Sequence, residues 1–327
     1  MAATTRTTQP RERSALHEWR LDVSGACAGP DRLEVAATLV TPEAQVPRAL
    51  LACLPGGFLG RRYYDLEVDG DRGYSFADAM ALRGFATLAF DHLGVDESSR
   101  PVDGWALDPD TLARANQLAL EAAMVRSERE LGFAPVPVLG VGHSMGSCLA
   151  VVQQANHSSY KALVLFSFAT SGLPDFLQGR EAGVAHDPAA IRERIVELAR
   201  ERFGQAYPGD APDADHAAFS VGSAPPAAAR ALERAATGVL PIPGLLSMIP
   251  GGFAPWAEQV RIPTLVARGD HDLPGSAEGA IASLPAASRV DTFTQPDCWH
   301  CHFVSNTREA LFQRVADWID DTLDPTD

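Results

Sequence analysis

Residues 138–146 run Val138-Leu139-Gly140-Val141-Gly142-His143-Ser144-Met145-Gly146, and this segment carries the strongest structural signal in the chain. An apolar strand is followed by the pattern Gly-x-Ser-x-Gly and then by small residues that begin a helix. A serine hydroxyl that stands clear of a strand end needs a sharp turn with strained backbone angles at Ser144. Gly142 and Gly146 leave room where side chains would collide with that turn. Because the next helix directs its N-terminus at Ser144, its N–H groups and dipole favour a negatively charged oxygen there.

Strand and helix patterns alternate on both sides of this segment. A near-continuous apolar run such as Arg48–Leu54 is typical of a strand buried on both faces, and the alternation predicts a mostly parallel sheet with right-handed crossovers. Helices are predicted after Ser75, over Asp110–Leu131, from Met145 to Gln154 and over Thr307–Leu323. The predicted strands are His17–Val23, Leu33–Thr41, Arg48–Leu54, Phe85–Asp91, Val136–Val141, Lys161–Phe168, Ile262–Arg268 and Arg289–Thr294. We therefore predict an α/β fold with an eight-stranded, mostly parallel sheet and helices on both faces.

The alternation breaks after the sixth predicted strand. The next stretch holds the helical patterns Pro188–Phe203 and Pro225–Thr237 with proline- and glycine-rich joints, among them Pro241, Pro243 and Gly244, and no obvious strand. An insertion of this size between two strands indicates a lid or cap. We predict a disordered tail over residues 1–14, a core that contains the sheet over 15–170 and 260–327, and a helical cap over 171–259.

Composition and charge narrow the possible partners. The chain has 327 residues, with 27 Lys and Arg against 42 Asp and Glu, a net charge of −15. That charge argues against binding to nucleic acid or to an anionic membrane. Met1–Arg13 has no apolar core of a secretory signal, and no apolar run approaches the roughly 18 residues of a membrane span. Five irregularly spaced cysteines do not form a disulfide pattern. We expect a cytoplasmic protein with a small-molecule substrate; the oligomeric state stays open.

The sequence resembles the α/β-hydrolase superfamily at several further segments. Leu54-Pro55-Gly56-Gly57-Phe58 resembles the His-Gly-Gly oxyanion loop, with Pro55 where histidine is usual. Residues 90–98 resemble the strand-end loop Asp-x-x-Gly-x-Gly-x-Ser, with Asp96 replacing the second glycine. Residues 265–272 resemble the strand and Gly-x-x-Asp turn that carry the acid of a catalytic triad. The resemblance covers most of the chain outside the tail and the insertion, and it implies an α/β-hydrolase fold with a helical cap.

The resemblance also implies roles for individual residues. Ser144 is the expected nucleophile and Asp272 the expected acid, with Asp270 as the alternative. His300 is the expected base because it matches the family's strand–Pro–x–x–x–His loop, whereas His302, followed by Phe303, matches a pair common in other members. The expected oxyanion hole consists of the backbone N–H of Met145 and one from Gly57 or Phe58.

No metal or cofactor is expected. Cys298, His300, Cys301 and His302 lie close together in the sequence, but a structural zinc site needs a distant second ligand pair, which is missing. His143, inside the Gly-x-Ser-x-Gly turn, is expected to pack or to support the site rather than to react.

The implied chemistry is hydrolysis of a carboxylic ester, lactone or thioester through an acyl-enzyme. A serine at the turn argues against haloalkane dehalogenase or epoxide hydrolase chemistry, where the resembling enzymes carry aspartate. Three alternatives remain: a C–C bond hydrolase or amidase with the same triad; a lyase, cyclase or acyltransferase on this scaffold; and a non-catalytic binding protein.

Overall fold

The computed structural model describes residues 14–43, 45–133, 136–209, 221–273 and 275–323. The predicted tail over residues 1–14 lies outside these ranges except for Ser14. That residue is not part of a tail, because it begins the first strand and pairs with Pro42. Its hydroxyl also donates to Asp78 across 2.9 Å, which fixes the start of the strand to the first helix.

A single eight-stranded sheet organises the described residues. Its strand order is β1-β2-β4-β3-β5-β6-β7-β8. β1 and β2 are antiparallel to each other, β2 is antiparallel to β4, and the remaining pairs are parallel, so the predicted mostly parallel sheet is confirmed. The strands are β1 (Ser14–Asp22), β2 (Glu34–Pro42), β3 (Leu50–Leu54), β4 (Ala86–Phe90), β5 (Val138–His143), β6 (Ala162–Phe166), β7 (Thr264–Gly269) and β8 (Val290–Gln295).

Helices cover both faces of the sheet, which explains why the central strands are apolar throughout. α2 and α3 pack on one face with Leu50 and Leu88, and α1 and α10 pack on the other with Leu51 and Leu139. The helices are α1 (Phe76–Ala81), α2 (Pro109–Leu131), α3 (Met145–His157), α4 (Gly179–Val184), α5 (Pro188–Phe203), α6 (Pro226–Arg234), α7 (Pro241–Met248), α8 (Ala254–Ala257), α9 (Ala277–Ala282) and α10 (Arg308–Leu323).

Local sequence signals set the ends of these helices. Ser75 caps α1 by accepting the backbone N–H of Asp78, and Asp108 caps α2 by accepting that of Thr111 across 2.7 Å. A side chain at this position satisfies a backbone donor that the first helical turn leaves without a partner. α2 ends at Gly132, whose φ of +71° is a left-handed conformation that glycine adopts without strain.

The described residues between β6 and β7 contain α4 to α8 and no strand of the sheet. The expectation of a proline-rich joint at residues 241–244 was wrong, because Pro241, Pro243 and Gly244 lie in the first turn of α7. Proline is tolerated there since the first N–H groups of a helix have no acceptor within it. Leu246 and Phe253 belong to the same apolar cluster as the sheet, so this segment is packed into the core.

Within the described ranges, no helix combines the length and the apolar character that crossing a membrane would require.

Candidate active site

Ser144 occupies a strained turn between β5 and α3. Its φ of +53° and ψ of −120° lie outside the conformations that non-glycine residues prefer. A Cβ at Gly142 would lie 2.4 Å from Ser147 Cα, and one at Gly146 would lie 2.1 Å from the Leu54 carbonyl oxygen. Both contacts are with backbone that cannot move aside, so the steric requirement for glycine at these two positions is confirmed.

Three predicted residues meet beside this turn. Ser144 Oγ lies 2.9 Å from His300 Nε2, and His300 Nδ1 lies 2.8 Å from Asp272 Oδ1. Asp272 follows β7 and His300 lies in the loop after β8, so the side chains converge at the carboxyl ends of parallel strands. The His300 side chain is nearly buried and that of Asp272 is fully buried. With Asp272 ionised, His300 donates from Nδ1, and Nε2 is left to accept the hydroxyl proton of Ser144.

The environment keeps Asp272 ionised. Burial alone would raise the pKa of its carboxyl, but the neighbouring His300 ring and the hydrogen bonds from His300 and Ser167 hold that pKa well below its usual range. The two carboxylate oxygens have different partners: Oδ1 meets His300, whereas Oδ2 accepts the hydroxyl of Ser167 across 2.5 Å. The backbone N–H of Leu273 also donates to Oδ1 across 2.8 Å. The carboxylate is therefore fixed from both sides.

Asp270, the alternative acid, faces a different set of atoms. Its two carboxylate oxygens accept the backbone N–H groups of Asp297 and Cys298 across 3.0 and 2.9 Å. These bonds connect the turn after β7 to the loop that carries His300. Asp270 thus stabilises the histidine loop through its backbone.

His302 is not beside Ser144. Its side chain is fully buried, with Nε2 lying 2.9 Å from Ser167 Oγ and Nδ1 lying 2.8 Å from Gln295 Oε1. Burial lowers the pKa of His302 to about 4, against the opposing effect of Asp272, whose Oδ2 lies 3.8 Å from Nε2. His302 therefore lies beside the Asp272 oxygen that does not face His300.

Ser167 is the residue of this arrangement that the sequence did not single out. It follows β6, is buried, and has a φ of +55°. Its hydroxyl lies between Asp272 and His302. The only available signal was a polar residue in Phe166-Ser167-Phe168 at the end of an apolar strand, which many surface turns share.

His143 connects the serine turn to the histidine loop. Its Nε2 donates to the backbone carbonyl of His300 across 2.9 Å, and its ring lies 4.8 Å from that of Tyr63. Burial holds the pKa of His143 well below its usual value, so the ring is neutral. The contact is with the His300 backbone, which suits support rather than reaction.

The loop after β3 lies directly against the serine turn. A Cβ at Gly56 would lie 3.2 Å from Ser144 Cβ, and one at Gly57 would lie 4.0 Å from Met145 Sδ. Phe58 has a φ of +62°, and its carbonyl accepts the N–H of Thr237 across 2.8 Å. The N–H of Met145 is the first of α3 and has no partner within the helix. The loop after β3 therefore lies against Ser144 at Gly56 and near the Met145 side chain at Gly57.

Buried polar contacts hold the loop after β3 in place. His92 Nε2 lies 2.9 Å from the Pro55 carbonyl oxygen. Arg61, just after the loop, forms a buried ion pair with Asp91 at the end of β4, and its backbone N–H also donates to that carboxylate. Asp96, which replaces a glycine of the family pattern, has a φ of +44°. Aspartate tolerates this left-handed conformation better than most residues do.

A small cavity opens beside Ser144 and His300. Its volume is about 20 Å³. Its other lining residues are Cys148, Ser167, Ala169, Gly172, Leu173 and Ser247. In the part of the chain that the structure describes, no three His, Cys, Asp or Glu side chains converge as a metal site would require.

Comparison with known proteins identifies the family. A family model described as "Alpha/beta hydrolase family" matches residues 51–314. The chain belongs to this family. The matched region begins in β3 and ends in α10, so it includes Ser144, Asp272 and His300. No curated protein matches the sequence significantly.

Solved structures of other α/β-hydrolases share the fold at low sequence identity. A peroxisomal α/β-hydrolase from Saccharomyces cerevisiae is 12% identical with a TM-score of 0.61, over 97% of this chain and 91% of the other. A soluble variant of monoglyceride lipase from Saccharomyces cerevisiae is 14% identical with a TM-score of 0.61, over 98% and 99%. An esterase from Exiguobacterium antarcticum is 14% identical with a TM-score of 0.59, over 92% and 98%. These likenesses concern the fold.

Proposed function

We propose that this α/β-hydrolase is a serine hydrolase that cleaves a carboxylic ester, lactone or thioester of a small molecule. The observation that carries the proposal is the continuous hydrogen-bond chain from Ser144 Oγ through His300 to Asp272, with distances of 2.9 and 2.8 Å. Nucleophile, base and orienting acid are then in contact in the order that acyl transfer requires. The esterase and the lipase among the structural neighbours fit this chemistry.

In the first half of the reaction, Ser144 Oγ attacks the carbonyl carbon while His300 Nε2 accepts its proton. Asp272 holds the imidazole in the Nδ1–H form and stabilises the imidazolium that results. The carbonyl oxygen becomes an oxyanion next to the N–H of Met145 and that of Gly57 or Phe58. Loss of one such donor typically costs about 2.7–4 kcal/mol of transition-state stabilisation.

The tetrahedral intermediate then breaks down. The bond from the carbonyl carbon to the leaving oxygen or sulfur breaks, and His300 gives its proton to that atom. The acyl group is left as an ester on Ser144. A water molecule attacks this ester as His300 takes one of its protons, and the acid is released with Ser144 protonated again.

The division of the chain follows the same proposal. We propose that the described residues within 15–170 and 260–327 form the catalytic core and that those within 171–259 form a cap that limits access to Ser144. A cytoplasmic location, a small-molecule substrate and the lack of nucleic-acid or membrane partners stay predictions from charge and composition.

A serine-directed fluorophosphonate tests the proposal. The probe should label the purified protein once, on the peptide that carries Ser144, and labelling should fall sharply in His300→Ala because the base is gone. Ser158→Ala, an exposed serine at the end of α3, is the matched control and should label normally. Labelling of another residue, or equal labelling of Ser144→Ala, would refute the assignment. Labelling at Ser144 without turnover of any ester would favour the non-hydrolytic alternatives.

A further inference from the structure

The cavity beside Ser144 bears on the size of the substrate. Resting on the proposed function, we propose that the enzyme prefers esters of very short acids, with acetyl as the best acyl group. The space next to Ser144 and His300 has a volume of about 20 Å³. A cavity of about 10–15 Å³ on this measure holds one water molecule, so 20 Å³ corresponds to a group of roughly methyl size.

We assign this space to the acyl side of the ester. After the first half of the reaction the alcohol leaves as a free product, whereas the acyl group stays on Ser144 Oγ until water releases it. Its substituent must therefore fit into the space that touches Ser144. An acetyl group places only a methyl there.

Most side chains around the cavity have little freedom to move aside. Cys148, Ala169, Gly172 and Ser247 are small, so they have little or no side chain to rotate away. Among the described residues that line the cavity, Leu173 is the one outside the catalytic pair with a long, flexible side chain. It is half-buried and lies just before a short 3₁₀ turn.

The backbone of residues 170–173, which form one wall of the cavity, is fixed as well. Leu173 N–H donates to the Met248 carbonyl at the end of α7, and Gly251 N–H donates to the Thr170 carbonyl, both across 2.7 Å. Thr170 N–H also donates to Ser283 Oγ across 3.0 Å. These bonds connect residues 170–173 to two separate parts of the chain.

Close packing at Gly172 restricts movement of the backbone. Its φ is +64°, and a Cβ there would lie 2.5 Å from the Met248 carbonyl oxygen. The two backbone segments are thus already in contact. Moving these segments apart to admit a longer acyl chain would require breaking the hydrogen bonds between them.

A chain-length series of p-nitrophenyl esters measures this preference with one constant leaving group. We expect kcat/KM for acetate to exceed that for butyrate by roughly 10-fold and that for octanoate by roughly 100-fold, since pocket fit commonly changes rates by this much per group. The Ser144→Ala protein supplies the background rate for each ester. The wild-type series decides the matter even if no variant folds.

Leu173→Ala tests the wall itself. Removal of its branched end should raise the ratio of butyrate to acetate kcat/KM by roughly 10-fold. Leu82→Ala is the matched control, since Leu82 is exposed at the end of α1 and does not line the cavity. Melting temperatures of both variants verify folding.

The outcomes separate this inference from the proposed function. If octanoate is turned over as efficiently as acetate while Ser144→Ala is inactive, the acyl-size inference is overturned and the serine mechanism stands. Wild-type rates no higher than Ser144→Ala for every ester would overturn both. An unchanged ester preference in folded Leu173→Ala would contradict the role of this wall.

Discussion

Ser167 Oγ lies 2.5 Å from Asp272 Oδ2, the carboxylate oxygen that does not face His300. Ser167 has a φ of +55°, which is a strained conformation for any residue other than glycine. Glycine would relieve this strain but would remove the hydroxyl. The hydroxyl fixes the carboxylate so that Oδ1 points at His300 Nδ1, and we expect this contact to matter for the rate.

Ser167→Gly should therefore lower kcat by roughly 10-fold while KM and the melting temperature stay near wild type. A hydrogen bond to a charged group contributes about 1.5–3 kcal/mol, so its loss should slow the reaction. Relief of the strain at the positive φ should offset part of the stability that is lost with the side-chain packing. Ser158→Gly is a close control because Ser158 also has a positive φ, +53°, and is exposed directly after the end of α3. If Ser167→Gly retains wild-type kcat, the serine serves only the fold.

The two aspartates after β7 should differ strongly in their effects. Asp272→Asn should reduce kcat by about 10⁴-fold, because an amide favours the wrong tautomer of His300. Asp270→Asn should reduce it by less than about 10-fold, since Asp270 contacts only the backbone of the histidine loop. Steady-state kinetics on one activated ester compares them directly. The reverse ranking would make Asp270 the acid.

Much of the fold could be predicted because its signals are local. The apolar strand, the glycines around Ser144 and the caps at Ser75 and Gly132 each act through neighbouring residues. The antiparallel pairing of β2 with β4 depends on contacts between distant segments, and helix α7 begins with two prolines that the sequence pattern marked as a joint.

The same distinction applies to the candidate site, where some residues could be predicted from local sequence and others could not. Spacing within loops favoured His300 and Asp272, and the structure brings both to Ser144. Ser167 and the contact of His143 with the His300 backbone could not be predicted, because each joins segments more than 100 residues apart. No periodicity or motif encodes such a pairing in a single sequence.

Burial of His302 predicts that the folded protein loses stability in acid. Burial lowers the pKa of His302 from 6.5 to about 4, so between these values the unfolded chain binds the proton more readily than the folded one. The stability due to His302 is therefore complete above about pH 6.5 and is lost as the pH falls towards 4. Urea unfolding should show wild type losing about 2 kcal/mol more than His302→Asn between pH 7.5 and pH 5.

His157→Asn provides the control for that comparison. His157 is exposed in the last turn of α3, so its replacement should leave the pH dependence of unfolding unchanged. Some dependence should also persist in His302→Asn, because burial lowers the pKa of His92 and His143 in the same direction. Equal slopes for wild type and His302→Asn would show that His302 does not titrate as described.

The most direct test of the serine mechanism is kcat/KM for p-nitrophenyl acetate in Ser144→Ala against wild type and Ser158→Ala. We predict that Ser144→Ala folds normally and loses at least about 10⁴-fold in kcat/KM, because the nucleophile that forms the acyl-enzyme is gone. Ser158→Ala should match wild type. Turnover by folded Ser144→Ala at the wild-type rate would contradict the account.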